Sequence, residues 1–208
     1  MIAGLTNLDT LKKALLAETL VNETRFDLMI QTIGLGVAGI FNAFTNRRLA
    51  WMLGDTITFS GDRPHYYLPR YPILNVMSVQ MKYFRTDNWN DISDQPITVN
   101  YETGLIHFGY TLGRFPLQVK AIWDGGYWFE PLEPDDDAYP STAPVGAVLL
   151  PDDLKAAFLL QCEEVWAQRD KLGSGIIDKP GAQSGLSKLE LAPLVKMVLQ
   201  THIRYQLS

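Results

Sequence analysis

Cysteine occurs once in this chain of 208 residues, at Cys162, and histidine three times, at His65, His107 and His202. A single thiol excludes an internal disulfide and any multi-cysteine metal cluster. The histidines lie far apart and form no H-x₃-H or HExxH pair, so no metal site is expected. No apolar run approaches the roughly 18–20 residues of a membrane span, and no membrane partner is expected. The start, Met1-Ile2-Ala3-Gly4, has neither a basic stretch nor an apolar core of signal-peptide kind, so export is not expected. Bases are scarce relative to acids: 18 Lys and Arg against 23 Asp and Glu, a net charge of −5. That balance is wrong for a general nucleic-acid binder.

Catalytic signatures are equally thin. GxSxG does not occur. Glu163 and Glu164 are neighbours in a helical pattern, where side chains diverge by about 100° and do not act as a carboxylate pair. Cys162 falls on an apolar helical stripe, the setting of an inert buried thiol. Asp135-Asp136-Asp137 lacks the alternate spacing, glycine and distal glutamate of an EF-type calcium loop. Tyr66, Tyr67, Tyr71 and Tyr83 lack interleaved bases in number, so sheet packing is their expected use rather than base stacking. No catalytic residue, metal ligand or cofactor is expected.

What is present is enough apolar residue, 47% of the chain, to build a sizeable core, with 20% charged. The charge is segregated. From Ala121 to Leu154 there are eight acids and no base: Asp124, Glu130, Glu133, Asp135, Asp136, Asp137, Asp152 and Asp153. Fifteen acids against eighteen bases remain elsewhere, a net +3.

The pattern along the chain predicts an α+β fold, a single domain over 1–208. In 6–53, Asn7 caps a short helix carrying Leu8, Leu11 and Leu15. A second helix over about 24–45 follows, with Phe26, Ile30, Ile33, Val37, Ile40, Phe41 and Phe44 on one stripe. In 55–128 the period changes to alternation. Five or six short strands, including a hairpin across Glu102-Thr103-Gly104, predict a small inserted antiparallel sheet or barrel. An exposed loop over 130–148 holds Pro131, Pro134, Pro140, Pro144 and the acid triplet. Pro151-Asp152-Asp153 opens a long helix over 151–172, closed by Gly173. A last helix and amphipathic tail occupy 188–208.

Gly34-Leu35-Gly36-Val37-Ala38-Gly39 is a literal GxGxxG, with Asp55 about 20 residues on, as a dinucleotide site would have. That motif needs a strand before it and βαβ units after it. Here helical period runs through the glycines and a β meander follows, so a helix with small residues for close packing is the expected meaning. A nucleotide-binding enzyme using Gly34, Gly36 and Gly39 stands as the alternative.

Taken in order, several stretches resemble the head–tail connector (adaptor) proteins of tailed bacteriophages. Leu5-Thr6-Asn7-Leu8-Asp9-Thr10-Leu11-Lys12 looks like their short opening helix, and Asn46-Arg47-Arg48-Leu49 like the arginine-containing turn before their strands. Leu68-Pro69-Arg70-Tyr71-Pro72-Ile73-Leu74-Asn75-Val76 resembles their proline-then-strand step, and Tyr101-Glu102-Thr103-Gly104-Leu105-Ile106 their hairpin. Val119-Lys120-Ala121-Ile122-Trp123-Asp124-Gly125-Gly126-Tyr127 is similar to their strand ending in a Gly-Tyr turn, and Leu150-Pro151-Asp152-Asp153-Leu154-Lys155-Ala156-Ala157 to the start of their long helix.

The resemblance implies a structural virion protein without catalysis. It would form a homo-oligomeric ring, usually a dodecamer, below the portal, extend the DNA channel and dock the next neck or tail-completion component. It implies localisation in the virion neck after synthesis in the host bacterial cytoplasm. A tail-completion or terminator subunit would differ only in its neighbours. Leu199, His202, Arg204 and Tyr205 are candidates for a portal-docking tail. Asp135, Asp136 and Asp137 would either ring the lumen, repelling passing duplex DNA, or sit on a solvated outer rim. Titrating the protein with a dinucleotide is expected to leave its melting temperature unchanged; a rise of several degrees would favour the glycine-motif enzyme instead.

Overall fold

Asn7 does cap the first helix: its Oδ1 accepts the Thr10 N–H at 2.7 Å, and α1 runs from Leu8–Leu15. The computed structural model describes residues 3–60, 63–84, 86, 88–94, 96–108, 118–129, 142–168 and 190–204. Among these, four α-helices and two antiparallel sheets of four and three strands make an α+β fold. The chain divides into two compact units. One is helical (Met1–Asn46, Glu130–Glu133 and Leu150–Ser208), and the other holds the strands (Arg47–Phe129 and Pro134–Leu149).

In the helical unit, a 3₁₀ turn at Glu18–Leu20 precedes α2, Asp27–Thr45. The helix starts three residues later than the pattern predicts. Lys12 explains the delay, since its buried ammonium donates to the Glu23 carbonyl at 2.8 Å and pairs with Asp27 at 2.7 Å. That contact holds residues 23–26 in turns and leaves Asp27 in the first helical turn, where its charge suits the macrodipole. Asn46, in the left-handed region at φ 53°, ends the helix. Helices α3 (Asp152–Ala167) and α4 (Pro193–Thr201) complete the unit. Pro151 and the two acids open α3 as expected; residue 169 onward, Gly173 included, lies outside the described residues.

The core of this unit is Leu5, Leu11, Ile30, Val37, Phe41, Leu154, Phe158, Cys162, Val195 and Leu199, all nearly or fully buried. Phe41 and Phe158 meet edge to face at 5.9 Å. Gly34 belongs to the buried face of α2, while Ile33, Ile40 and Phe44 are half-buried flanks rather than its centre. A Cβ at Gly34 would lie 2.5 Å from the Ala3 carbonyl oxygen and 2.9 Å from the Leu11 side chain. The glycine is there because backbone passes against backbone.

Helix α2 is long and apolar enough to cross a membrane by length and composition, with mean hydropathy 1.5 over its best window, only 33% of it buried. Uncharged Gln, Thr, Gly and Asn interrupt the apolar run without adding charge, which hides the helix from a search for unbroken apolar residues.

In the strand unit, β1 (Met52–Ser60), β3 (Ile73–Lys82), β4 (Asn90–Asp91) and β7 (Gln118–Gly125) form one sheet in the order β1-β7-β3-β4. Strands β2 (His65–Tyr67), β5 (Ile97–Asn100) and β6 (Leu105–Phe108) form the other, in the order β2-β6-β5. The predicted hairpin is β5–β6, with Asn100 opposite Leu105 and Gly104 at φ +74°. The sheet, not the barrel, is the outcome: the described strands leave two separate sheets with open edges. Central strand β7 alternates strictly, sending Val119, Ala121 and Trp123 inward. They share one apolar cluster with Ile73, Val79 and Met81 of β3 and with Tyr66, Leu68, Ile106 and Phe108 of the second sheet region. The two sheets bury their inner faces together.

The glycines of α2 are expected to separate cleanly in urea denaturation of the free subunit. Gly34→Ala costs about 1–3 kcal/mol through overpacking. Gly36→Ala and Gly39→Ala, where an added Cβ meets nothing within 4 Å, each gain about 1 kcal/mol from helix propensity.

Candidate functional site

Three stretches remote in sequence converge in the strand unit. Arg47, just after α2, lays its guanidinium 3.7 Å from the ring centre of Tyr71 and 5.2 Å from that of Tyr127. It also donates to the Tyr71 carbonyl at 2.7 Å. Buried cation–π stacking of this kind contributes about 2 kcal/mol or more where water is excluded. Gly125 and Gly126 let the chain close on this arginine: a Cβ on either would strike the Pro72 or Ala50 carbonyl oxygen, at 2.7 and 2.5 Å. The Tyr127 N–H donates to Leu49 and the Trp51 N–H to Tyr127, at 2.7 and 2.9 Å. The Arg-containing turn, the proline-then-strand step and the Gly-Tyr turn are therefore one hub.

A second charge cluster adjoins it. Buried Asp55 accepts from Arg70 Nε at 2.7 Å, from Arg48 Nη1 at 2.9 Å and from the Thr56 N–H at 2.9 Å. Arg70 also donates to the Ala50 carbonyl, and its own carbonyl accepts the Trp123 indole N–H at 2.9 Å. Burial pushes the Arg70 guanidinium below its ordinary value, with Asp55 pulling it back up. Asp55 is thus a structural anion, held by two arginines, not the ribose ligand its spacing from the glycines suggested.

In the helical unit the C-terminal segment is fastened at several points. Gln161, buried on α3, accepts the Ala192 N–H at 2.9 Å and donates to the Glu190 carbonyl at 3.3 Å, setting the start of α4. Leu199 is fully buried. His202 Nε2 meets Asp153 Oδ2 at 2.9 Å, and the Arg204 N–H donates to the Thr45 carbonyl at 2.9 Å. Of the proposed tail residues, Leu199 is core, and His202 and Arg204 are tied to this same subunit. Tyr205 lies outside the described residues.

The acid-rich window also resolves into parts. Asp124 accepts the Gly54 N–H at 2.7 Å, and Asp152 and Asp153 open α3. Glu130, Glu133, Asp135, Asp136 and Asp137 lie outside the described residues. His65 and His107, remote in sequence, are directly opposed on β2 and β6. Among the described residues no group of three His, Cys, Asp or Glu is placed to hold a metal. Cys162 is buried and its thiol is pushed up to about 12 by desolvation, with Glu163 adding to the shift. Gly34, Gly36 and Gly39 lie within α2, without the preceding strand a dinucleotide site requires.

Sequence reasoning missed a clasp on the outer face of the first sheet. Lys82 and Lys120 both approach the Trp89 ring, at 4.8 and 4.7 Å from its centre. The alternation of β3 and β7 turns Gln80, Lys82, Gln118 and Lys120 to one face, but bringing the two lysines together takes the register between the strands.

No family model matches the chain, and neither does any curated protein. Solved structures do. A chain from the neck of an empty gene transfer agent (GTA) particle, computed with C6 symmetry, superposes with a TM-score of 0.60 at 12% identity, over 98% of this chain and 92% of that one. The chain has the fold of a GTA neck protein. A chain in the virion of a native GTA particle gives a TM-score of 0.60 at 12% identity, over 100% and 94%. One in the native neck, computed with C12 symmetry, gives 0.55 at 14%, over 100% and 97%. The likeness runs the whole length, so helices and strands share one fold with these neck components, as the resemblance to head–tail connectors implied.

Asp153 sits below the ordinary carboxylate value: partial burial works against this, but hydrogen bonds from His202 and the Leu154 N–H outweigh it. Such a group stabilises the fold at neutral pH and loses that contribution as protons bind. Amide exchange of residues 199–204 is expected to quicken as pH falls through and below 3.8, the ordinary aspartate value, beyond the intrinsic pH dependence. In Asp153→Asn the segment is expected to exchange faster already at neutral pH, with that acid step gone.

Proposed function

We propose that this chain is a structural subunit of a virion neck, a ring-forming head–tail adaptor that seats below the portal, extends the DNA channel and docks the next neck or tail-completion component. The observation that carries the reading is the fold shared, over nearly the full length of both chains, with neck components of GTA particles treated with C6 and C12 symmetry. Three of the six stretches that carried the resemblance in sequence support it, because they fall at the turns that build the hub around Arg47. The ring is taken as a dodecamer, assembled in the virion after synthesis in the host bacterial cytoplasm.

In this reading the five acids from Glu130 to Asp137 face the lumen. A closed ring of twelve would present a dense negative collar, and like-charge repulsion would let duplex DNA pass without adhering. The portal-docking role falls to the end of the chain beyond α4, with Leu199 as its anchor in the core and His202, Arg204 and Tyr205 as the reaching part. Reaching would require His202 to give up its hydrogen bond to Asp153, a contact of the kind that contributes about 1 kcal/mol.

Electron microscopy of the full chain mixed with its portal is expected to show an added ring, and a chain ending at Leu199 is expected to bind more weakly while remaining folded. A portal unchanged by the full chain would overturn the adaptor reading. A ring with Asp135, Asp136 and Asp137 on its outer rim would overturn the lumen assignment alone, and undiminished binding by the shortened chain would overturn the tail as anchor.

A further inference from the structure

Among the described residues, helix α2 packs one face inside the subunit and leaves the other without a partner. Ile30, Gly34, Val37, Phe41 and Thr45 are buried. On the opposite side Leu28, Thr32, Leu35, Gly36, Gly39 and Ala43 recur at helical spacing, and every one is exposed, Leu28 by 76% and Leu35 by 53%. None is charged, and the hydroxyl of Thr32 is turned back to the Leu28 carbonyl at 2.7 Å. A helix at a water surface carries charged residues on its outer face; one that is apolar all round is covered.

The shape of this face is also defined. A Cβ built on Gly36 or Gly39 meets nothing within 4 Å, so the two glycines form an open shelf beside Leu35. On the inner face Gly34 shows what such a glycine admits, the backbone of Ala3. The same helical unit carries a second, unlike apolar surface: Leu194 and Met197 of α4, three residues apart, are 60% and 66% exposed. A closed ring of identical subunits needs two different, complementary patches on each copy, and the neck assemblies that share this fold have C6 and C12 symmetry.

We infer that the α2 shelf is the contact between neighbouring copies of this chain, and that its occupant is α4 of the next copy, with Leu194 and Met197 seated over Gly36 and Gly39. The inference rests on the ring reading above and names the surface through which the ring closes.

The full-length double variant Gly36→Leu/Gly39→Leu tests it. Leucine fits the open space and favours helix, so the melting temperature of the dilute subunit is expected to stay or rise, while the concentration-dependent association of the unmodified chain in sedimentation is lost. A second preparation, Gly39→Cys with Met197→Cys, is expected to give a ladder of disulfide-linked oligomers that neither single variant gives. Cys162, buried and with its thiol pushed up to about 12, does not contribute to the ladder.

Each other outcome overturns a distinct part. An unmodified chain that stays monomeric at every concentration overturns the ring reading and this contact together. Rings formed equally by the leucine variant overturn the contact alone. A lower melting temperature in that variant means the chain's own residues cover the shelf. Linked dimers from Gly39→Cys alone mean the shelf meets itself and not α4. Flotation of the unmodified chain with phosphatidylcholine vesicles, strengthened by the leucine pair, means lipid is the occupant.

Discussion

The helical unit is organised by the scarcity of charge on α2. Nineteen residues contain one ionisable group, Asp27, and that group is already engaged by Lys12. With one charge and few polar side chains on its length, the helix gains most by being packed against. Helices α1, α3 and α4 all belong to its unit, and the segment at Ala3 and Gly4 passes close over Gly34. Lys12 fixes where the helix begins and Asn46 where it stops, so the apolar segment is framed by one buried ammonium and one left-handed residue. The face left over is a direct result of the same composition.

The strand unit follows another logic. Its centre is apolar, but its boundary is held by arginines with assigned partners: buried Arg47 between two tyrosine rings, and exposed Arg48 with half-buried Arg70 on one buried aspartate. Buried ion pairs contribute little net stability once desolvation is counted, yet removing one partner is costly because a charge is left stranded. Such clusters specify geometry. Here they fix the turn after α2, the strand that follows Pro72 and the Gly-Tyr turn relative to one another, and these are three of the six stretches at which the resemblance to connector proteins was visible.

Much of this was legible in the sequence because it depended on local rules. The Asn7 cap, the β5–β6 hairpin with its glycine, the proline and acids opening α3, and the helical reading of Gly34, Gly36 and Gly39 all follow from period and backbone preference. What escaped depended on long-range placement. Nothing near Lys12 announces that its ammonium would be buried against Asp27 and delay a helix. The Trp89 clasp needs the register of β3 against β7. Asp55 had the spacing of a nucleotide ligand, and only the fold shows two arginines occupying it. Membrane-like hydropathy in α2 was hidden because neutral polar residues break an apolar run without breaking an apolar helix. The candidate tail was half legible: its helical pattern was plain, but the ties of His202 to Asp153 and of Arg204 to Thr45 were not.

The single thiol has a consequence for where such a subunit can work. Cys162 is fully buried on α3, and desolvation holds it in the protonated, unreactive form at any physiological pH. The folded chain therefore has no disulfide to lose in a reducing compartment and no accessible thiolate to oxidise outside one. Thiol–disulfide exchange therefore leaves the folded chain unchanged in reducing and oxidising surroundings alike.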